Sequence, residues 1–189
     1  MMTPLQGLIL TGGQSKRMGQ DKALMRSGSR TQLEQSYDLL QAQLSSVYVS
    51  VKQSQANDPV RSKYRLIIDA QNCSGPMAGI LSAHKTHPDC AWLVIACDMP
   101  FLNSETLMQL INARDDAYNA TVFSNPDDSL PEPLCAIYEP NVLMRVARDS
   151  SLLLSNSARD LLRQSRVKMI EAKDPSALEN RNYASEGFE

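Results

Sequence analysis

The stretch LTGGQSKRMGQDK, residues 10–22, follows the apolar run Leu8-Ile9-Leu10 and indicates the kind of sheet that this chain builds. A short apolar run that ends in Thr11-Gly12-Gly13 is typical of a buried strand after which the chain turns sharply, with its backbone N–H groups close to a ligand. The loop also carries three cations, Lys16, Arg17 and Lys22. A polyphosphate needs such charge, so the stretch predicts a strand followed by a phosphate-holding loop.

The glycine spacing excludes two better-known phosphate loops. A P-loop requires Gly-x-x-x-x-Gly-Lys-Ser/Thr, but Gly19 is followed by Gln20 and Asp21. The dinucleotide fingerprint Gly-x-Gly-x-x-Gly is also absent from the stretch. A plain glycine turn with solvated lysines explains an isolated Gly-Gly pair, but the ordered Gly-Gly…Arg-Met-Gly…Asp-Lys pattern is much less expected by chance.

Apolar runs alternate with helical patterns along the first half of the chain. The runs lie near residues 5–10, 46–51, 65–68 and 91–97. Parallel strands covered on both faces have this continuous apolar character and are joined by crossover helices. The alternation therefore predicts an α/β fold with a mostly parallel sheet.

Three helices are predicted from local signals. Thr31-Gln32-Leu33-Glu34 is a capping-box sequence, and the apolar spacing after it predicts a helix over residues 31–44. Two more helices are expected after Gly75-Pro76 and after Asn103-Ser104.

The alternation breaks in the second half of the chain. Residues 125–131 are rich in turn formers, and residues 133–138 have strand character. A smaller, partly antiparallel subregion is therefore expected here. Residues 139–164 have a mainly helical pattern, and residues 167–170 predict a short strand.

Length and composition limit the classes of protein. The 189 residues are 42% hydrophobic and carry no internal linker, which suits a single domain over residues 1–189. A net charge of −2 argues against broad binding to nucleic acid or to an anionic membrane. No run of about 18 apolar residues and no basic leader occurs, so a cytoplasmic protein is expected. The four cysteines lack Cys-x-x-Cys spacing and are expected to be reduced thiols, mostly buried.

Polar residues stand directly after three of the apolar runs. Thr11-Gly12-Gly13 follows the first run, Asp69 the third and Asp98 the fourth. Ligands of open α/β sheets bind outside the carboxyl ends of the strands, so these residues are expected at one edge of the sheet. Asp is also a common cap and turn former, and for Asp69 alone that interpretation is equally good.

These motifs resemble those of the MobA-like nucleotidyltransferase family, which includes the molybdenum cofactor guanylyltransferases. Residues Leu10 to Lys22 match its opening signature, Leu-x-Gly-Gly-x-x-x-Arg-Met-Gly-x-Asp-Lys. Cys97-Asp98-Met99-Pro100 resembles its Asp-x-Pro metal motif, and Ser74–Gly79 resembles its Gly-Pro-Leu-Ala-Gly segment. The resemblance spans nearly the whole chain and implies a three-layer, Rossmann-like nucleotidyltransferase fold.

The resemblance also implies roles for individual residues. Arg17, Lys22 and Asp98 would be catalytic, and Asp98 would bind Mg²⁺. The nucleotide would contact Leu10, Thr11, Gly12, Gly13, Lys22, Asp69, Gly75 and Asp98. The tail around Asn180 and Asn182 resembles the family's Asn-x-Asn-Thr-Pro-Glu motif and would bind the acceptor, although Arg181 replaces a usually apolar residue and Tyr183-Ala184 replaces Thr-Pro.

The implied reaction is transfer of GMP from GTP to the terminal phosphate of molybdopterin, with release of pyrophosphate. The implied partners are GTP, molybdopterin and molybdoenzyme assembly proteins. Guanine is favoured over cytosine because cytidylyl relatives tend to carry alanine in the first loop. Three alternatives stay open: CTP as the nucleotide, another phosphorylated acceptor, and a nucleotide-binding protein without catalysis.

Overall fold

The computed structural model describes residues 3–11, 21–71, 73–149 and 157–179. Within those residues the strands are β1 (Leu5–Leu10), β2 (Arg26–Ser27), β3 (Arg30–Thr31), β4 (Val47–Val51), β5 (Leu66–Ile68), β6 (Ala91–Ala96), β7 (Ala120–Ser124), β8 (Pro131–Tyr138) and β9 (Val167–Ile170). The α-helices are α1 (Gln32–Gln41), α2 (Pro76–Thr86), α3 (Ser104–Ala113), α4 (Pro140–Arg148) and α5 (Ala158–Arg163). Short 3-10 turns occur at Lys22–Leu24, Gln53–Gln55, Arg61–Lys63 and Pro175–Leu178.

Seven strands form one sheet in the order β5-β4-β1-β6-β8-β7-β9. Strands β5, β4, β1 and β6 run parallel to one another, as the four apolar runs predicted. Only β8 is antiparallel to both of its neighbours, β6 and β7, while β9 pairs in parallel with β7. The mostly parallel sheet is confirmed.

The expected antiparallel subregion is not separate from the main sheet. Strand β8 is inserted between β6 and β7, and almost all of its residues are buried. Strand β7 was not predicted from the sequence. The predicted antiparallel character is confirmed by β8. Its insertion into the main sheet was not predicted, because it depends on pairing with β6, which lies about forty residues earlier and leaves no local signal.

Two apolar clusters cover the two faces of the sheet and give the three layers. Ile9 of β1 belongs to the cluster that contains Leu33 of α1 and Leu107 of α3. Leu8 of β1 belongs to the cluster that contains Met77 of α2 and Leu143 of α4. Because successive strand residues point to opposite faces, adjacent residues of one strand supply both cores.

The three predicted helices are confirmed, and one of them, α1, is shorter than predicted at its C-terminal end. Thr31 caps α1: its hydroxyl accepts from Glu34 N at 3.2 Å, and the Glu34 carboxylate accepts from Thr31 N at 2.7 Å. Helix α1 ends at Gln41 rather than at residue 44. Helix α2 begins at Pro76, and Asn103 caps α3 by accepting from Thr106 N at 2.9 Å.

The cysteines are free thiols, of which Cys97 and Cys135 are buried, while Cys73 and Cys90 are half-buried. Among the described helices, none combines the length and apolar character that a membrane crossing requires.

Candidate functional site

A cavity of about 170 Å³ lies at the carboxyl ends of β1 and β6. These two strands are neighbours, with Leu10 paired to Ala96, although β4 and β5 precede β6 in the chain. The strand order therefore reverses between β1 and β6, and the cavity lies where open α/β sheets bind their ligands. Five predicted site residues line it: Leu10, Lys22, Asp69, Gly75 and Asp98.

The carboxyl ends of the four parallel strands are held together at this edge. Cys97 N donates to Leu10 O at 3.2 Å, and Asp69 N donates to Val51 O at 2.8 Å. Thr11 is buried and does not line the cavity, and its hydroxyl donates to Ser50 O at 2.7 Å. Its backbone N–H donates to the same carbonyl at 3.3 Å, so Thr11 joins β1 to β4.

The central polar contact of the cavity joins Lys22 to Asp98. Lys22 Nζ donates to Asp98 Oδ2 at 3.4 Å, and the two side chains are 16% and 20% exposed. A cation and a carboxylate that are close but incompletely buried keep access to a ligand. Lys22 can bind a phosphate, and Asp98 offers a hard oxygen that suits a divalent cation.

Asp69 faces the same cavity from the end of β5 and is held by Ser50. The Ser50 hydroxyl donates to Asp69 Oδ1 at 2.5 Å. Burial raises the pKa of Asp69 above its usual range, and the hydrogen bond from Ser50 opposes that shift. Ser50 lies against Gly79 of α2, where a Cβ would overlap its hydroxyl, so only glycine leaves room for this contact.

Gly75 adjoins the cavity at the start of α2. Its φ is +66°, in the left-handed region that side chains rarely adopt, while a Cβ there would meet no atom within 4 Å. The glycine is therefore required by the backbone turn and not by crowding. The turn places the N-terminus of the eleven-residue helix α2 beside the cavity, where the helix dipole favours an anion.

A second cavity, of about 450 Å³, adjoins the first and shares Asp69 and Gly75 with it. Lys52 and Ser74 are among its lining residues. Ligand sites in proteins usually enclose several hundred Å³ (about 300–1,000 Å³), so the two cavities together can hold a ligand with separated parts.

Cys97 lines the first cavity beside Asp98 but is not a candidate nucleophile. Burial raises the pKa of Cys97 to about 12, helped by the nearby carboxylates of Asp98 and Asp21. The reactive form of cysteine is the thiolate, so Cys97 stays protonated and inert at neutral pH.

Five predicted site residues lie outside the described part of the chain: Gly12, Gly13, Arg17, Asn180 and Asn182. Sequence reasoning missed Ser50, which holds Asp69, and Leu134 of β8, which lines the first cavity. Ser50 lies inside an apolar run, and Leu134 reaches the site only because β8 is paired with β6. Neither has a signal in the sequence itself.

The site residues fit a magnesium ion held jointly with a phosphorylated ligand. Mg²⁺ usually takes one or two carboxylates and completes its shell with water and phosphate oxygens. Asp98 and Asp69 line the same cavity. The described residues contain no group of three or more metal-ligating side chains, so in that part of the chain no all-protein metal cage competes with this arrangement.

The open sheet, with a cavity at its switch point between β1 and β6, defines a class of protein, the Rossmann-like α/β proteins. The model of one family, the MobA-like NTP transferase domain, matches residues 7–169. The chain belongs to this family.

Individual relatives agree with that assignment. The chain is 41% identical over 142 residues to the molybdenum cofactor biosynthesis bifunctional protein of Synechocystis; the match covers 75% of the chain but only 41% of that relative. It is 29% identical over 145 residues to a probable molybdenum cofactor guanylyltransferase of Pelotomaculum thermopropionicum, covering 77% and 68%. The crystal structure of molybdopterin-guanine dinucleotide biosynthesis protein A from Archaeoglobus fulgidus superposes with a TM-score of 0.69 at 22% identity, covering 88% and 83%.

Proposed function

We propose that this protein is a molybdenum cofactor guanylyltransferase that transfers GMP from GTP to the terminal phosphate of molybdopterin. The observation that carries the proposal is the Lys22–Asp98 pair in the switch-point cavity of a MobA-like chain. The names of the relatives support molybdenum cofactor biosynthesis, and one of them, a probable molybdenum cofactor guanylyltransferase, supports a guanylyl group as the group transferred. These names support the proposal by similarity alone, and the match covers only 41% of the Synechocystis protein.

The reaction joins two phosphates and needs no strong base. An oxygen of the acceptor's terminal phosphate attacks the α-phosphorus of GTP, and the bond from that phosphorus to the β-bridging oxygen breaks to release pyrophosphate. A phosphate monoester has a second pKa near about 6, so its attacking oxygen is already ionised at neutral pH. No histidine lines either cavity among the described residues, which agrees with a reaction that needs none.

Catalysis would then rest on alignment and on charge neutralisation. Lys22 would bind the phosphates of GTP, helped by Arg17 and by the backbone N–H groups of Gly12 and Gly13. Lys22 could exchange Asp98 for a phosphate, because their contact is 3.4 Å long and lies at the cavity.

Asp98 would hold Mg²⁺ together with phosphate oxygens of the nucleotide. The ion, when bound, supplies positive charge to the triphosphate and to the leaving pyrophosphate. Asp69 and Gly75, which belong to both cavities, would hold the nucleoside side of GTP. Asn180 and Asn182 would contact the acceptor.

The test is a comparison of nucleotides by thermal unfolding and by pyrophosphate release. GTP at about 100 times its dissociation constant adds about 2.7 kcal/mol of stability, which raises the midpoint of a chain this long by roughly 5–10 °C. We expect that shift with GTP and Mg²⁺, and we expect Asp98→Ala to abolish it. We also expect pyrophosphate release only when molybdopterin is added.

Asp115→Ala is the matched control, because Asp115 pairs with Lys168 at 3.6 Å on the surface. It should keep the shift. A larger shift with CTP would mean that the nucleotide is CTP and not GTP. Turnover only with another phosphorylated acceptor would mean that the acceptor is not molybdopterin. In both cases the protein would still be a nucleotidyltransferase. A GTP shift without turnover on any acceptor would indicate a nucleotide-binding protein without catalysis.

A further inference from the structure

Arg61 is a charged residue buried far more deeply than its type usually is. Its side chain is 1% exposed, although it belongs to a short 3-10 turn before β5. Arginine is almost never fully buried unless it is paired. A buried guanidinium of this kind therefore serves a specific partner.

The main partner of Arg61 is Asp21, which lies forty residues earlier. Arg61 Nη2 donates to Asp21 Oδ2 at 2.6 Å. Asp58 Oδ2 lies 3.6 Å from Nη1 and gives the guanidinium a second carboxylate. Asp58 also caps the turn of Arg61, because its Oδ1 accepts from the backbone N–H of both Val60 and Arg61 at 3.0 Å.

Asp21 in turn fixes the backbone that carries Lys22. Its Oδ1 accepts from Ala23 N at 3.2 Å and caps the 3-10 turn Lys22–Leu24. Gln55 Nε2 donates to its Oδ2 at 3.2 Å. Two side chains from the connection between β4 and β5 therefore hold the residue immediately before the site lysine.

We propose that Arg61 is a positioning residue, which through Asp21 orients Lys22 toward Asp98 and the phosphates of the substrate. The proposal rests on the proposed function for its kinetic readout. Arg61 is not among the described residues that line either cavity, so it acts through Asp21 and not on the ligand. Lysine cannot replace it fully, because an ammonium is a point charge and the guanidinium fork serves Asp21 and Asp58 together.

The physical need for such an anchor follows from the side chain of Lys22. Lysine has four rotatable bonds, and holding its ammonium in one place costs side-chain entropy. When Asp21 fixes the backbone from which the Lys22 side chain starts, the ammonium can reach a smaller volume. A displacement of about 1 Å in a catalytic group can cost about a hundredfold in rate.

The kinetic test uses Arg61→Lys, with Arg114→Lys as the matched control. Arg114 is also buried and makes a two-point pair, with Glu139. We expect Arg61→Lys to lower kcat about tenfold with little change in the KM for GTP, and Arg114→Lys to leave both unchanged below its unfolding transition. Equal losses in the two variants would overturn the proposal, because they would reflect general loss of buried pairs.

A second cycle tests whether Arg61 acts through Lys22. In a Lys22→Ala background, Arg61→Lys should cause no further loss of kcat, since the group that it positions is gone. A further tenfold loss in that background would overturn the proposal. Asp21→Asn, which keeps the shape of the side chain, should behave as Arg61→Lys does and serves as the second variant if Arg61→Lys folds poorly.

A spectroscopic readout keeps this test independent of the reaction. With lysine labelled at ¹³Cε, the Lys22 resonance is assigned by its loss in Lys22→Arg. Asp98→Asn should shift that resonance in the wild-type background and should shift it less in the Arg61→Lys background. If wild-type protein releases no pyrophosphate but this difference is seen, the proposed function fails and the positioning role stands. An equal response in both backgrounds would reject the positioning role whatever the activity.

Discussion

Two partly or fully buried ion pairs of this molecule differ in a way that separates structure from function. Arg114 contacts Glu139 through two hydrogen bonds, of 2.7 and 2.9 Å, and the side chains are only 6% and 2% exposed. Lys22 contacts Asp98 at 3.4 Å, and the two side chains are 16% and 20% exposed. The first pair is closed to solvent and to any ligand, while the second can exchange its partner for a ligand.

The surroundings of the two ion pairs differ in the same way: the Arg114–Glu139 pair lies between structural elements, and the Lys22–Asp98 pair lies at a cavity. Arg114 also donates to Thr3 O at 2.9 Å, so the pair ties the end of α3 to the N-terminal segment and to the start of α4. Such a pair is costly to break because the remaining charge has no access to water. Lys22 and Asp98 lie at a cavity where water or a ligand can replace either partner. Loss of the first pair should therefore affect stability, and loss of the second should affect activity.

The largest expected effect is on the closed pair. Arg114→Met should lower the free energy of unfolding by about 3–5 kcal/mol, because it leaves the Glu139 carboxylate buried without a partner. The measurement is chemical denaturation of both proteins. A loss below about 1 kcal/mol, the value typical of surface pairs, would erase the contrast between the two pairs.

The next largest effect is on turnover at the open pair. Lys22→Ala should lower kcat/KM about 10²–10³-fold, the cost of removing one preorganised charge-stabilising group. Its unfolding midpoint should stay close to that of wild type. Lys168→Ala is the control, because Lys168 pairs with Asp115 at 3.6 Å on the surface and should affect neither quantity. Loss of stability without loss of turnover would make Lys22 a structural residue.

A smaller effect is expected where the site and the core meet. Gly79→Ala should lower the free energy of unfolding by about 1–3 kcal/mol, since the new methyl group overlaps the Ser50 hydroxyl and lies 2.8 Å from Leu10 Cδ2. It should also weaken GTP binding, because Ser50 holds Asp69. Adding Ser50→Ala should recover part of the stability but not the affinity. Recovery of both by calorimetry would mean that the Ser50–Asp69 contact does not matter for binding.

The smallest effect is a pH dependence of stability at Asp69. Because burial raises the pKa of this carboxyl, the folded protein binds its proton more tightly than the unfolded chain does. That stabilisation is complete below the unfolded pKa, near 3.8, and is lost as the pH rises through the folded pKa. The difference in midpoint, Asp69→Asn minus wild type, should therefore grow as the pH increases from about 4 and then level off. A difference in midpoint that shrinks with rising pH would mean that folding lowers the pKa of Asp69 instead of raising it.

Local patterns predicted the elements that depend on neighbouring residues. The capping box of α1 joins residues three positions apart, so Thr31 and Glu34 are enough to predict where the helix begins. Strands β1 and β6 were predicted because their apolar runs are continuous and end in polar residues that the fold brings to one edge. The same logic predicted that Asp69 and Asp98 lie at one edge of the sheet, and both line the first cavity.

The sequence by itself determined the class of fold, the shared edge at which the parallel strands' polar ends lie and the motifs of the site, because each depends on contiguous residues. Only the tertiary structure decided that β8 enters the main sheet, that Ser50 holds Asp69, and that Arg61 meets Asp21. Those contacts join residues 19 or more positions apart. They arise from strand pairing and burial, which no short window of sequence contains.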